Sequence, residues 1–236
     1  MKLRAGLVGA ALLFSCVLAA CGRGEEEAGE TDPTEKLPAK YKSHEPVARP
    51  DFAEAAKSAT FQQAIRDAAA LLGSEPQPLE SPEHGAIAGG VSFQAPHEKV
   101  EGLLRKAHGE FLARGFFLFR HDNNFGLDGR PDHVGLLPTT DKYAVIATLE
   151  TNGVNYEIGT AGVIAWLKDL EREQPFVLTA VGLDHLEGHF TTPVRDPKAL
   201  ARRMYEFCPD IVQQGVGSVA KLADEVKKGT LYFWWD

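Results

Sequence analysis

The segment Asp184-His185-Leu186-Glu187-Gly188-His189-Phe190 sets two imidazoles and a carboxylate at alternate positions. Successive side chains of a strand point to opposite faces. An extended 184–190 therefore puts His185, Glu187 and His189 on one side and Leu186 and Phe190 on the other. Two imidazoles and a carboxylate form a donor set for Zn²⁺, and three protein ligands leave a fourth position open for water, as in catalytic zinc centres. The wet face of any half-buried strand shows the same alternation, and no helix carries a paired-ligand HExxH motif. A second oxygen-rich stretch runs through the loop from His121 to Gly129, where Asp122, Asn124 and Asp128 could serve Ca²⁺. Gly126 at the fifth position and His133 at the twelfth exclude an EF-hand, and turn formation accounts for the same Asn, Asp and Gly residues.

Other candidates carry less chemistry. Cys208 precedes Pro209 at the end of an expected helix, where the helix dipole disfavours a thiolate, so it reads as a structural thiol. The run from Gln214 to Ser218 (QGVGS) fits neither a phosphate loop nor a nucleophile elbow, and its glycines suit a tight turn. Near the C-terminus Leu231, Phe233 and Trp235 alternate with Tyr232, Trp234 and Asp236. Such a strand is either central and covered on both faces, the preferred reading, or it offers Tyr232 and Trp234 to a protein partner.

These residues need elements to position them. Apolar residues from Phe52 to Leu72 recur at helical spacing and end at Gly73; the proline-rich EPQPLESPEHG that follows reads as a linker. Helices are expected at 98–114 and from Thr160, and another is capped by Asp196 with Pro197 as its first residue. A last helix is capped by Ser218 and closed by Gly229. Strands are expected at 116–120, 134–137, 143–149, 176–181, 183–191 and 231–235. Helices and strands mix without regular βαβ alternation, which predicts a single two-layer α+β domain with a mainly antiparallel sheet and flanking helices. The net charge of -8, with no clustered Lys/Arg face, argues against nucleic acid.

The N-terminus explains where such a domain is held. Lys2 and Arg4 precede an apolar stretch from Leu7 to Leu18, which is short for a membrane span and suited to a signal segment. Leu18-Ala19-Ala20-Cys21-Gly22 resembles the lipobox of bacterial lipoproteins. The resemblance implies cleavage after residue 20, acylation of Cys21 (palmitate among the acyl chains) and anchorage in a bilayer. Gly22 rather than Asp at the next position favours the outer membrane. Cleavage removes two cations and no acid, which takes the charge from -8 to -10. It also leaves Cys208 as the only free thiol, so no internal disulfide can form. Residues 22–50 are polar and proline-bearing, and they read as a disordered tether.

The stretches NYEIGTAGVIAWLKDLEREQPFVLTAVGLDHLEGHF, MYEFCPDIVQQGVGSVAKLADEV and LYFWWD resemble a bacterial family known as domain of unknown function 4253. The resemblance covers about residues 85 to 236 and implies a domain boundary and no chemistry. The expected organisation is a signal peptide (1–20), a lipidated Cys21 and tether (21–50), a peripheral helix with linker (51–84), and an α+β domain (85–236). The function that follows is a non-enzymatic, envelope-anchored binding or immunity-like domain facing an envelope protein or a toxin, with no cofactor. The alternative is a metal-dependent hydrolase using His185, Glu187 and His189.

Overall fold

The computed structural model describes residues 32–81 and 84–236. The signal segment, Cys21 and the first part of the expected tether lie outside the described residues. In chain order the elements are α1 (Ala53–Ala56), α2 (Ala59–Leu72), β1 (Gln77–Ser81), β2 (Gly85–Ala95), α3 (His97–Leu112), β3 (Phe117–Asp122) and β4 (Asp132–Leu137). They continue as α4 (Lys142–Leu149), α5 (Thr160–Glu173), β5 (Phe176–Val181), β6 (His185–Phe190), α6 (Pro197–Phe207), α7 (Val219–Lys227) and β7 (Thr230–Trp234). The seven strands form one sheet in the order β1-β2-β4-β3-β5-β6-β7. Every neighbouring pair is antiparallel except β3–β5. The fold is thus α+β with a mixed, mostly antiparallel sheet and flanking helices.

Alternation along the strands builds two apolar layers. Phe117 and Phe119 of β3 and Leu137 of β4 face the main core with Trp166 of α5, Phe207 of α6, Val226 of α7, and Phe233 and Trp235 at the C-terminus. Phe207 stacks on Trp166 at 4.7 Å and meets Phe233 and Trp235 edge-on. Leu118, Val134, Leu136 and Phe93 point the other way, into a second cluster with Phe61 and Leu72 of α2 and Val100, Leu104 and Phe111 of α3. Helices therefore back β2, β4 and β3 on both faces. Strands β5–β7 contribute nothing to the second cluster, so there the fold stays two-layered and one sheet face is open.

Local sequence explains the expectations that held. Asp196 caps α6 through Ala199 N with Pro197 at its first turn, and Ser218 caps α7 through Lys221 N. Three expectations change. Residues 143–149 are helical, because the Asp141 carboxylate accepts from Tyr143 N at 2.8 Å and starts α4. The segment Val145–Leu149 is buried at every position and so carries no period from which to read it. The proline-rich linker contains β1 and leads into β2; Pro78 is tolerated because β1 is an edge strand.

The third change concerns the expected tether, whose described part, 32–50, packs on the domain. Asp32 caps a helical turn at Pro33–Lys36, Thr34 is buried, and Leu37 and Tyr41 pack against the main core. Tyr41 donates to Asp169 Oδ2 at 2.7 Å, and Lys40 pairs with the same carboxylate. This strap crosses the start of α5 so closely that a Cβ on Gly162 would lie 2.1 Å from the Tyr41 carbonyl oxygen. The GTAG sequence at 159–162 lets two backbones meet there. The helix expected over 52–72 also belongs to the fold, as α1 and α2.

Candidate functional site

Strands β6 and β7 bring the two groups of candidate residues onto one face. Their register pairs His185 with Trp234, Glu187 with Tyr232 and His189 with Thr230. All of these side chains lie on the open face, while Leu186, Phe233 and Leu231 face the core. Strand β7 is at the sheet edge. Of the two readings of the C-terminal strand, the structure lies between: β7 is an edge strand, Tyr232 and Trp234 are half-buried, and Tyr232 packs in part against the main core. Burial and the neighbouring Glu187 carboxylate push the Tyr232 phenol well above its ordinary pKa.

The zinc expectation meets a geometric limit. Same-face residues of a strand are separated by about 6.6 Å per step, so His185 and His189 stand roughly 13 Å apart, too far for one ion. Each also has other business. Nδ1 of His185 lies 3.2 Å from Asp184 Oδ1 at the tight β5–β6 connection, and His189 lines a cleft against α3. Glu187 accepts from Arg120 and, at 3.2 Å, from Asn123 Nδ2. Among the described residues no three His, Cys, Asp or Glu side chains are grouped to hold a metal. The calcium expectation fails similarly. The Asn124 amide donates to the Pro131 carbonyl, Asp128 is exposed, and the loop is shaped by turns.

The charged centre of this face is Arg120, which ends the apolar run Phe116–Phe119 and follows Leu118 onto the α3 side of the sheet. Its side chain is only 4 % exposed, and three carboxylates hold it. Nη1 donates to Glu101 Oε1 at 2.6 Å and to Asp132 Oδ2 at 3.1 Å, and Nη2 donates to Glu187. Asp132, whose side chain is 0 % exposed, is fixed further by His97 Nδ1 at 2.9 Å and by the backbone N–H of Asn124 at 2.9 Å. Burial opposes the guanidinium charge, but the Glu187 and Glu101 carboxylates outweigh it and raise the Arg120 pKa. Nothing in the local sequence beyond a lone arginine closing an apolar strand announced this hub.

Beside the hub is a cleft of about 310 Å³ between α3, the open face of β5–β6 and the α7–β7 turn. Its walls carry Glu101, Arg105, Arg120, Thr179, Glu187, His189, Lys228 and Thr230. His189 is kept below its ordinary pKa by burial and by the nearby Arg105.

The Cys208 thiol does not reach this face. Cys208 is fully buried, and its thiol donates to the Trp234 carbonyl oxygen at 3.0 Å. Burial pushes that thiol's pKa far up, so it pins β7 to the end of α6 as a neutral group. The His121 imidazole is strongly desolvated. Burial, then His133 and His185, lower its pKa to about 3, and its Nε2 lies 2.8 Å from Ser92 Oγ.

No curated protein and no solved structure matches the chain. A family model does match residues 133–236, which hold β4 to β7 and the helices between them. Strands β1–β3 and helices α1–α3, which complete the sheet and supply Arg120 and Glu101, precede the match. The chain thus carries, over residues 133–236, the domain described as Domain of unknown function (DUF4253).

Proposed function

We propose that this is a lipid-anchored protein of the bacterial envelope that binds another protein without catalysing a reaction. The observation that carries the binding reading is the placement of exposed apolar side chains. Phe125, Leu127 and Val154 are 61 %, 57 % and 68 % exposed. Both loops that bear them lie at the end of the sheet where the parallel neighbours β3 and β5 finish, and Asn152 N donates to Leu183 O at the β5–β6 connection. Large apolar groups held in water at one end of a domain suit a protein interface. Phe125 and Asp128 also adopt left-handed backbone conformations (φ 52° and 54°), a cost that loops bear where their shape is used.

Anchorage at Cys21 follows from the lipobox resemblance. The packed strap shortens the leash: from Cys21 to Asp32 the chain can span at most roughly 40 Å. The domain would then work close to its bilayer, within reach of an envelope protein or an arriving toxin. Photocrosslinkers at Phe125 and Val154, expressed in living cells, should capture one and the same protein, while a crosslinker at Leu71 on α2 should not. Capture of nothing above the Leu71 background would sink the binding reading. Separately, an alkyne-bearing palmitate analogue should label the protein and not its Cys21→Ser variant; equal labelling of both would remove the anchor.

A further inference from the structure

The geometry points to the cleft beside Arg120 as a binding site for a small organic acid, whose carboxylate takes the place that Glu101 now occupies on the guanidinium. The three carboxylates on Arg120 are not equivalent. Asp132 is fully enclosed and held by His97 and Asn124, and Glu187 is steadied by Asn123. Glu101 reaches over from α3 with its side chain 53 % exposed and with no partner among the described residues other than Arg120. It is the one that an incoming carboxylate can replace. Exchange of one carboxylate for another leaves the charge of the buried hub unchanged, so the desolvation cost of an unpaired ion does not arise. Once released, Glu101 has Arg105 one helical turn away at i+4, and Arg105 has no carboxylate partner among the described residues.

The rest of the cleft suits such a ligand. Its volume of about 310 Å³ matches a small molecule rather than a chain segment. The Thr179 and Thr230 hydroxyls on its wall make no hydrogen bond within the described residues, and His189 adds a further polar group. Arg105 at its rim favours anions at the entrance, and Lys228 stands beside it in an ion pair with Glu225 at 2.7 Å. This site is on the sheet face beside α3 and uses none of Phe125, Leu127 or Val154, although Asn123 and Asn124 of the Phe125 loop steady Glu187 and Asp132; glutarate binding is read without reference to a protein partner.

The test is a calorimetric titration of the full chain in mild detergent with glutarate, with its neutral diamide and with inorganic phosphate. Glutarate should bind saturably and the diamide should not. The Glu101→Ala variant, which removes the internal competitor, should bind glutarate about tenfold more tightly. Thr179→Val removes a cleft hydroxyl without touching the charges and should weaken binding by about three- to tenfold. Absence of saturable glutarate binding in both the parent and Glu101→Ala, or equal affinity in the two, would overturn the proposal. Equally strong binding of phosphate or of the diamide would overturn it too.

Discussion

Replacing Arg120 by Met keeps much of the side chain's volume and removes its charge, so three carboxylates lose their common cation. Asp132 then sits fully enclosed with only His97 and a backbone N–H, and Glu187 keeps only Asn123. Breaking one side of a buried ion pair costs about 3–5 kcal/mol, because a charge is left without its partner. At about 2–4 °C per kcal/mol for a chain of this size, the melting temperature should drop by on the order of 10 °C. Urea unfolding followed by tryptophan fluorescence, to which Trp166 and Trp235 in the core contribute, measures the loss. Glu101→Gln is the internal comparison: its side chain is half in water, so it should cost less than about 1 kcal/mol. A penalty for Arg120→Met below 1 kcal/mol, or one no larger than that of Glu101→Gln, would refute the assignment of Arg120 as the hub of this face.

Other predictions follow from single contacts. His121 has a folded-state pKa of about 3 against an ordinary value of 6.5, so the unfolded chain takes up its proton first as the pH falls. Its neutral burial is therefore free of penalty above about pH 6.5 and destabilises progressively from there down to about pH 3, and urea midpoints for His121→Gln should fall less steeply over that window. Gly162→Ala puts a methyl 2.1 Å from the Tyr41 carbonyl oxygen, so the strap must lift; a loss of about 1–3 kcal/mol and faster proteolysis within 38–50 should appear together. In a chain with Cys16 and Cys21 replaced by Ser, Cys208 should react with a thiol reagent only as fast as the domain unfolds. Rapid labelling of the native protein would contradict its burial.

What the sequence made legible was local. Asp196-Pro197, Ser218 and Gly229 announce helix ends through caps that involve residues three or four apart, and the 185–190 alternation gives both a strand and its two faces. Failures came where the deciding partner is distant or the pattern is uniform. Residues 143–149 are apolar throughout, and strand propensity then competes with a cap that a single aspartate supplies. Composition made 32–50 a tether because it counts few aliphatic residues. It cannot show that Leu37 and Tyr41 suffice when α5 offers a glycine-lined groove and Asp169 a carboxylate. Arg120 is separated from Glu101, Asp132 and Glu187 by 19, 12 and 67 residues, so no spacing rule finds the hub. His185, Glu187 and His189 were correctly placed on one face, but that same strand geometry holds the two imidazoles too far apart to share an ion.

The edge strand constrains how a partner could be recognised. An uncovered edge invites another chain to add a strand through its free backbone groups. Here the last part of β7 is already engaged. The Trp234 carbonyl accepts from Cys208, and just beyond the strand Asp236 N donates to Asp210 Oδ2. Asp210 in turn accepts from Tyr156 at 2.6 Å and from Gln214 at 3.1 Å, which ties the C-terminal end of the strand to two loops. With those backbone groups occupied, strand addition at that end would first have to break a buried thiol contact and a carboxylate network. Side chains are what the molecule leaves available: Phe125, Leu127 and Val154 on the loops, and Tyr232 and Trp234 on the open face. Under the binding reading proposed above, recognition by these groups would need no rearrangement of the sheet, whose C-terminal strand is anchored by its backbone.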